Sequence, residues 1–186
     1  VLKKKGDTEF MKNFSVIFFF LFFIFNSSFA NELKLTTDPN AICNNGEQAT
    51  FTIKKGKSNK WAVILPGGGI ARNSEEYRSR PESMKSPELK PHYFGQAIEK
   101  DLEDRNYNLV FIPYCSSDLY QSDHINLIDG NEVPFRGRVI VEDVINKIDK
   151  KLMNADEVMF LGYSAGAIGI GFHAKTIGKY KNVRVL

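Results

Sequence analysis

Gly162-Tyr163-Ser164-Ala165-Gly166 puts a hydroxyl at the centre of a G-x-S-x-G pentapeptide. In that pattern the serine sits in a strained strand-to-helix turn, so residues two positions away must be small for the backbones to approach. The hydroxyl then projects from a sheet edge as a nucleophile, and the following N–H can bond an oxyanion. The chemistry this permits is acyl transfer through a covalent serine ester. The context fits. Glu157 to Gly162 reads as a strand, and Ala165, Ala167, Ile168 and Gly169 open a helix. A glycine-rich packing turn without catalysis is the alternative reading of the same five residues.

Gly67-Gly68-Gly69 directly follows the apolar run Trp61–Leu65 and Pro66. Backbone N–H groups can face a ligand only where no side chain blocks the approach. With a serine elbow about a hundred residues downstream, an oxyanion loop is a better reading than a flexible turn. Preorganised donors of this kind typically contribute about 3–4 kcal/mol each. The general base is harder to place. Elbow enzymes of this type order their partners Ser, then Asp or Glu, then His. The 22 residues after Ser164 contain His173 and no acid. Nine positions on, His173 reads as a helix-surface residue, and His92 and His124 precede the serine. The domain is therefore expected to be cut inside a strand at Val183–Leu186, with its Asp and His beyond residue 186.

The elements that must position these residues alternate. Thr50–Lys54 alternates in polarity, as a half-buried strand does. Trp61–Leu65 and Asn108–Pro113 are continuous apolar runs, expected of strands buried on both faces. Lys54, Lys55, Lys57 and Lys60 read as a solvated hairpin end between two strands. Ser74–Arg80 predicts a short helix and Phe94–Leu102 another. In Gly137–Met153, Ile140, Val144, Ile148 and Leu152 recur at i+4 and form one apolar stripe. Strand and helix in alternation predict an α/β fold, a mostly parallel sheet with helices on both faces.

The first thirty residues differ from the rest. Met11-Lys12, the apolar run Val16–Phe25 and the small-residue site Ser28-Phe29-Ala30 have the order of a secretory signal, and the run is short for a membrane span. Residues 1–30 are read as an upstream extension plus signal peptide, leaving 31–186 as the working domain, secreted or periplasmic. Membrane contact is expected only in transit, although an uncleaved anchor is the alternative. The chain has 25 basic and 22 acidic residues. Removing Lys3, Lys4, Lys5, Lys12, Asp7 and Glu9 leaves 21 against 20, without the clustered basic face of a nucleic-acid binder. Export would let Cys43 and Cys115 oxidise, with each other or with a cysteine beyond residue 186. Two free thiols are the alternative. Two cysteines and scattered His92, His124 and His173 lack metal-ligand spacing.

Several segments together resemble the pectin acetylesterase and Notum family of carboxyl-ester hydrolases. Cys43-Asn44-Asn45-Gly46 is similar to the family's Cys-x-Asp-Gly segment, and Trp61–Gly69 to its strand and oxyanion loop. Ile112 to Leu119 resembles its Tyr-Cys-x-x-Asp run, and Phe135-Arg136-Gly137 and Ala155 also fit. The likeness runs from about Ala41 to Leu186. It implies an α/β-hydrolase-like domain, incomplete in this chain, with Ser164 as nucleophile. The implied oxyanion donors are the N–H groups of Gly68, Gly69 and Ala165, with no cofactor. Two departures stand out. Ile70-Ala71 stands where the family usually has a Trp and a Cys, which puts the aromatic wall of the acyl pocket and one disulfide in doubt, and Ala167 stands where a second glycine is common. Asp118 reads as a loop-ordering carboxylate.

The expected activity is carboxyl-ester hydrolysis, with acetyl esters on a polysaccharide such as pectin as substrate. Some family members instead remove a longer acyl chain from a protein. The rival readings are a secreted binding protein that lost its Asp and His, and a truncated product that does not accumulate.

Overall fold

A computed structural model describes residues 31–88 and 96–186. The signal-peptide reading, His92 and the start of the Phe94–Leu102 helix lie outside the described residues. A six-stranded sheet forms the frame, from β1 (Glu32–Leu35), β2 (Thr50–Lys54), β3 (Lys60–Leu65), β4 (Asn108–Phe111), β7 (Glu157–Gly162) and β8 (Val183–Val185). Its order is β1-β2-β4-β3-β7-β8. The pairings β4–β3, β3–β7 and β7–β8 are parallel, whereas β1–β2 and β2–β4 are antiparallel. A separate hairpin joins β5 (His124–Ile128) to β6 (Asn131–Phe135).

The continuous apolar runs are explained by burial on both faces. Along β3, Trp61, Val63 and Leu65 point into the larger core, and Ala62 and Ile64 into the smaller one. Along β7, Val158 and Phe160 join the first, and Met159 and Leu161 the second. Helix α3 (Gly137–Met153) covers the larger core with Ile140, Val144, Ile148 and Leu152, the i+4 stripe seen in the sequence. Helix α2 (Gln96–Asp104) supplies Leu102 to the other face. Helices therefore lie on both faces of a mostly parallel sheet.

The remaining helices are short. α1 (Ser74–Arg78) stops before the expected Arg80, and the Asn73 side chain caps it by accepting from the Glu76 N–H at 2.9 Å. α4 (Ala165–Phe172) and α5 (Ala174–Ile177) are separated at His173, which ends one and begins the other.

Two expectations are corrected. β2 and β3 do not form a hairpin, because β4 lies between them. The lysine-rich segment is instead a crossover, where Lys54 pairs with Glu103 at 2.6 Å and the Lys55 ammonium stands 4.7 Å from the Trp61 ring centre. Nor is β2 half-buried. Phe51 and Ile53 enter the core, but Thr50 and Thr52 are also buried, and the Thr50 hydroxyl donates to the Pro87 carbonyl.

Candidate active site

Parallel strands β3 and β7 run side by side and end together, Leu65 opposite Gly162. Each is followed by glycines, so the two turns meet at one edge of the sheet. In the turn after β7, Ser164 has φ 52° and ψ −120°. A non-glycine residue at positive φ is uncommon and costs on the order of 1–3 kcal/mol when strained. Close packing holds it there. A Cβ on Gly166 would stand 1.8 Å from the Leu65 carbonyl oxygen, and one on Gly162 would stand 2.5 Å from the Gly166 backbone. Both flanking glycines are thus required by space. Ser164 precedes α4 without capping it, and its side chain is exposed.

The glycine loop abuts this turn. A Cβ on Gly67 would come within 2.9 Å of the Ser164 Cβ. Among the described residues, the N–H groups of Gly68, Gly69 and Ala165 donate to no acceptor. Donors left without a partner among the described residues, in a loop that abuts an exposed serine, are what an oxyanion site needs.

The conformation of that loop is imposed from elsewhere in the chain. The Tyr114 hydroxyl donates to the Gly69 carbonyl and accepts from the Leu119 N–H, both at 2.7 Å. Burial pushes the Tyr114 phenol well above its usual range. The Tyr120 hydroxyl reaches the Pro66 carbonyl at 3.2 Å, and Arg80 Nη2 donates to the Gly68 carbonyl at 2.6 Å. Tyr114 and Tyr120 belong to a loop with left-handed residues at Ser117, Leu119 and Tyr120. Asp118 compensates that strain. Its carboxylate accepts from the Ser116 hydroxyl and from the N–H groups of Tyr120, Ser122 and Gly137, at 2.6–3.2 Å. Burial raises its pKa, and those donors pull it part of the way back. Asp118 thus orders the loop and holds the start of α3.

The Cys43–Cys115 disulfide fastens this loop to the N-terminal segment, with Cα atoms 5.1 Å apart. Asn44 reinforces it, donating to the Ser116 and Pro134 carbonyls and accepting from the Ser117 hydroxyl.

The histidines do not complete a triad among the described residues. His173 is not on the helix surface. It is 3% exposed, and its Nε2 lies 2.9 Å from the Tyr120 carbonyl. Burial lowers its pKa, and its Nε2 is engaged with the Tyr120 carbonyl, which can only accept. Its burial follows from the break between α4 and α5 and from the close approach of Gly169 to Tyr120, where a Cβ would come within 2.9 Å. His124 stacks on Phe135 in the hairpin, ring centres 5.8 Å apart. An apolar hollow lined by Ile64, Ile98, Leu161, Tyr163 and Leu186 adjoins the elbow, but none of Gly67, Gly68 and Gly69 lines it.

The family profile described as Pectinacetylesterase matches residues 26–185. The chain belongs to the pectinacetylesterase family. It is 31% identical over 162 residues to the palmitoleoyl-protein carboxylesterase notum1a of Danio rerio, covering 80% of this chain and 32% of that protein. It is 33% identical over 99 residues to an inactive palmitoleoyl-protein carboxylesterase, notum1b, of the same fish, covering 48% of this chain and 71% of that one. A solved structure of the Wnt deacylase Notum from Drosophila superposes with a TM-score of 0.68 at 24% identity, over 84% of this chain and 51% of the other. That likeness shows the α/β-hydrolase-like fold. The chain thus spans about a third of the curated carboxylesterase and about half of the solved chain.

Arg80 carried no signal in the sequence, since a lone arginine after a short helix has no pattern. Tyr114 was visible only through the resemblance.

Proposed function

We propose that the protein is an exported serine carboxyl-ester hydrolase acting through an acyl-enzyme on Ser164. The observation that carries this reading is the exposed, left-handed Ser164 abutted by a glycine loop, with the Gly68, Gly69 and Ala165 N–H groups donating to nothing among the described residues. Ser164 Oγ attacks the ester carbonyl carbon and loses its proton to a base. The resulting oxyanion is held by the Gly68, Gly69 and Ala165 N–H groups, the alcohol leaves with a proton, and water then releases the acid. His173 is tied to Tyr120. The base and its orienting acid are therefore proposed to come from the part of the family domain outside the span of this chain, and residues 31–186 alone are expected to turn over little ester.

Export is supported by the leader pattern in residues 1–30 and by the Cys43–Cys115 disulfide, which persists in oxidising compartments. The proposed acyl group is acetyl, on a polysaccharide such as pectin. The match of residues 26–185 to the Pectinacetylesterase profile supports acetyl as the acyl group. The test is a chain-length series of p-nitrophenyl esters with the complete protein, together with acetate release from acetylated pectin. Acetate should be preferred to octanoate and palmitate, and pectin should release acetate. Preference for the long chains would transfer the reading to lipid deacylation.

A non-catalytic reading is favoured by one observation, the likeness to an inactive relative. It predicts no turnover of any of these esters by a folded, disulfide-bonded protein.

A further inference from the structure

Arg80 is partly buried, yet among the described residues it forms no ion pair with a carboxylate. Its guanidinium is committed to the glycine loop instead. Nη2 donates to the Gly68 carbonyl at 2.6 Å, and Nη1 lies 3.8 Å from the place a Gly69 Cβ would occupy. The group stands 5.6 Å from the Tyr114 ring centre, and Nη2 also approaches Met84 Sδ at 3.6 Å. Nε is buried with no hydrogen-bond partner among the described residues. A side chain held from several sides keeps one orientation, and a cation with no carboxylate in direct contact among the described residues keeps its charge available to stabilise negative charge nearby.

The peptide it grips is the one that matters. The Gly68 carbonyl and the Gly69 N–H belong to the same planar unit and point in opposite directions. Fixing the carbonyl toward Arg80 therefore fixes the Gly69 N–H away from it. Between two glycines, one of them at φ +71°, little steric resistance opposes rotation of that unit. Rotated, it would present an acceptor oxygen where a donor is needed. A charge-assisted hydrogen bond on the carbonyl opposes the rotation and polarises the N–H.

We propose that Arg80 is a positioning residue of the oxyanion site, clamping the Gly68–Gly69 peptide so that the Gly69 N–H faces the developing oxyanion and placing a positive charge behind it. The proposal rests on the esterase reading above, and it concerns the transition state and not the binding of substrate. Recognition of an acidic sugar by this side chain is the competing role, and the buried Nε and the occupied Nη2 count against it.

The experiment uses the complete protein and p-nitrophenyl acetate, a neutral ester with no carboxylate to recognise, with a trifluoromethyl ketone as an oxyanion-forming inhibitor. Arg80→Met should lower kcat by about 100-fold, the scale of losing one oxyanion donor, with KM changed less than about threefold. The inhibition constant for the ketone should rise in proportion to the loss in kcat/KM, a correlation that simple unfolding of a fraction of the molecules does not produce. Arg80→Lys should recover part of the loss. If Arg80→Met does not fold, Arg80→Lys carries the test, with about a tenfold loss and the same proportional rise expected. An unchanged kcat in a folded variant, or an effect confined to KM for acidic pectin, overturns the proposal while leaving Ser164 in place. A wild type without Ser164-dependent turnover overturns the esterase reading and the proposal together.

Discussion

Two glycine turns end neighbouring strands, and they are held in place by different means. The turn after β7 is held by backbone packing: Gly162 and Gly166 admit a close approach to each other and to Leu65, and α4 begins at once. The turn after β3 has no such internal device. Its carbonyls at Pro66, Gly68 and Gly69 are held by Tyr120, Arg80 and Tyr114, side chains 12 to 54 residues away in sequence. The Ser164 turn is thus set by close packing of five residues on one another and on the end of β3, while the glycine loop depends on the loop around Asp118 and on the Cys43–Cys115 bridge. Damage to the first turn should be steric and abrupt. Damage to the second should be graded and remote.

The largest effect expected is at Gly166. Gly166→Ala places a methyl 1.8 Å from the Leu65 carbonyl oxygen, which is backbone and cannot turn aside. It should prevent folding or cost more than about 3 kcal/mol in urea unfolding, beyond ordinary overpacking. Gly171→Ala on the same helix meets nothing within 4 Å and should be neutral or stabilise by about 0.5–1 kcal/mol. Equal destabilisation by both would mean that helix packing, and not the elbow, dominates.

Next comes the disulfide. Replacing Cys43 and Cys115 by serine opens a closure of 72 residues and should cost about 2–4 kcal/mol by denaturant titration. Because Cys115 adjoins Tyr114, activity per folded molecule should fall as well. A destabilised variant with full specific activity would separate the bridge from the loop.

A smaller effect is expected at Tyr114. Tyr114→Phe keeps the ring but removes the hydroxyl that joins Gly69 to Leu119, at a cost of about 1–2 kcal/mol. Amide exchange should quicken at Leu119, and kcat should fall more than KM rises. The same variant should leave the elbow protected, measured at Ala167 and Ile168. Equal loosening of both turns would contradict the difference in how they are held.

The smallest effect is a pH dependence. The folded-state pKa of His173 lies below its unfolded value of about 6.5, so the unfolded chain binds the proton more readily. The stability from the neutral ring is present above about pH 6.5 and is lost as pH falls from there through the folded pKa. His173→Gln, a neutral donor, should flatten that acid-side slope in unfolding titrations between pH 7 and 5. An unchanged slope would assign it to other groups.

What was legible in the sequence follows the same division. β3, β7, α3 and the elbow are local patterns, and their bounds were read nearly to the residue. The hairpin was overlooked although Asp129-Gly130 is a strong turn signal, because its outward Ile125 and Leu127 blur the alternation. β1 was missed because an edge strand with exposed Leu33 and Leu35 has no buried face to announce it. The lysine segment was misread because adjacency in sequence says nothing of β4 passing between β2 and β3. His173 was misplaced for a related reason. Helical spacing predicts a surface position, but the break at residue 173 and the contact of Gly169 with Tyr120 turn the ring inward. Arg80 and Tyr114 matter through single long-range hydrogen bonds, which leave no periodic trace.

The most direct measurement of the central claim is covalent labelling of the complete, disulfide-bonded protein with a fluorophosphonate, followed by peptide mass spectrometry. Stoichiometric modification of Ser164, absent in a folded Ser164→Ala variant that has lost at least a thousandfold in esterase rate, is the predicted result. Esterase activity that survives in Ser164→Ala, or a label carried by another residue, would contradict it.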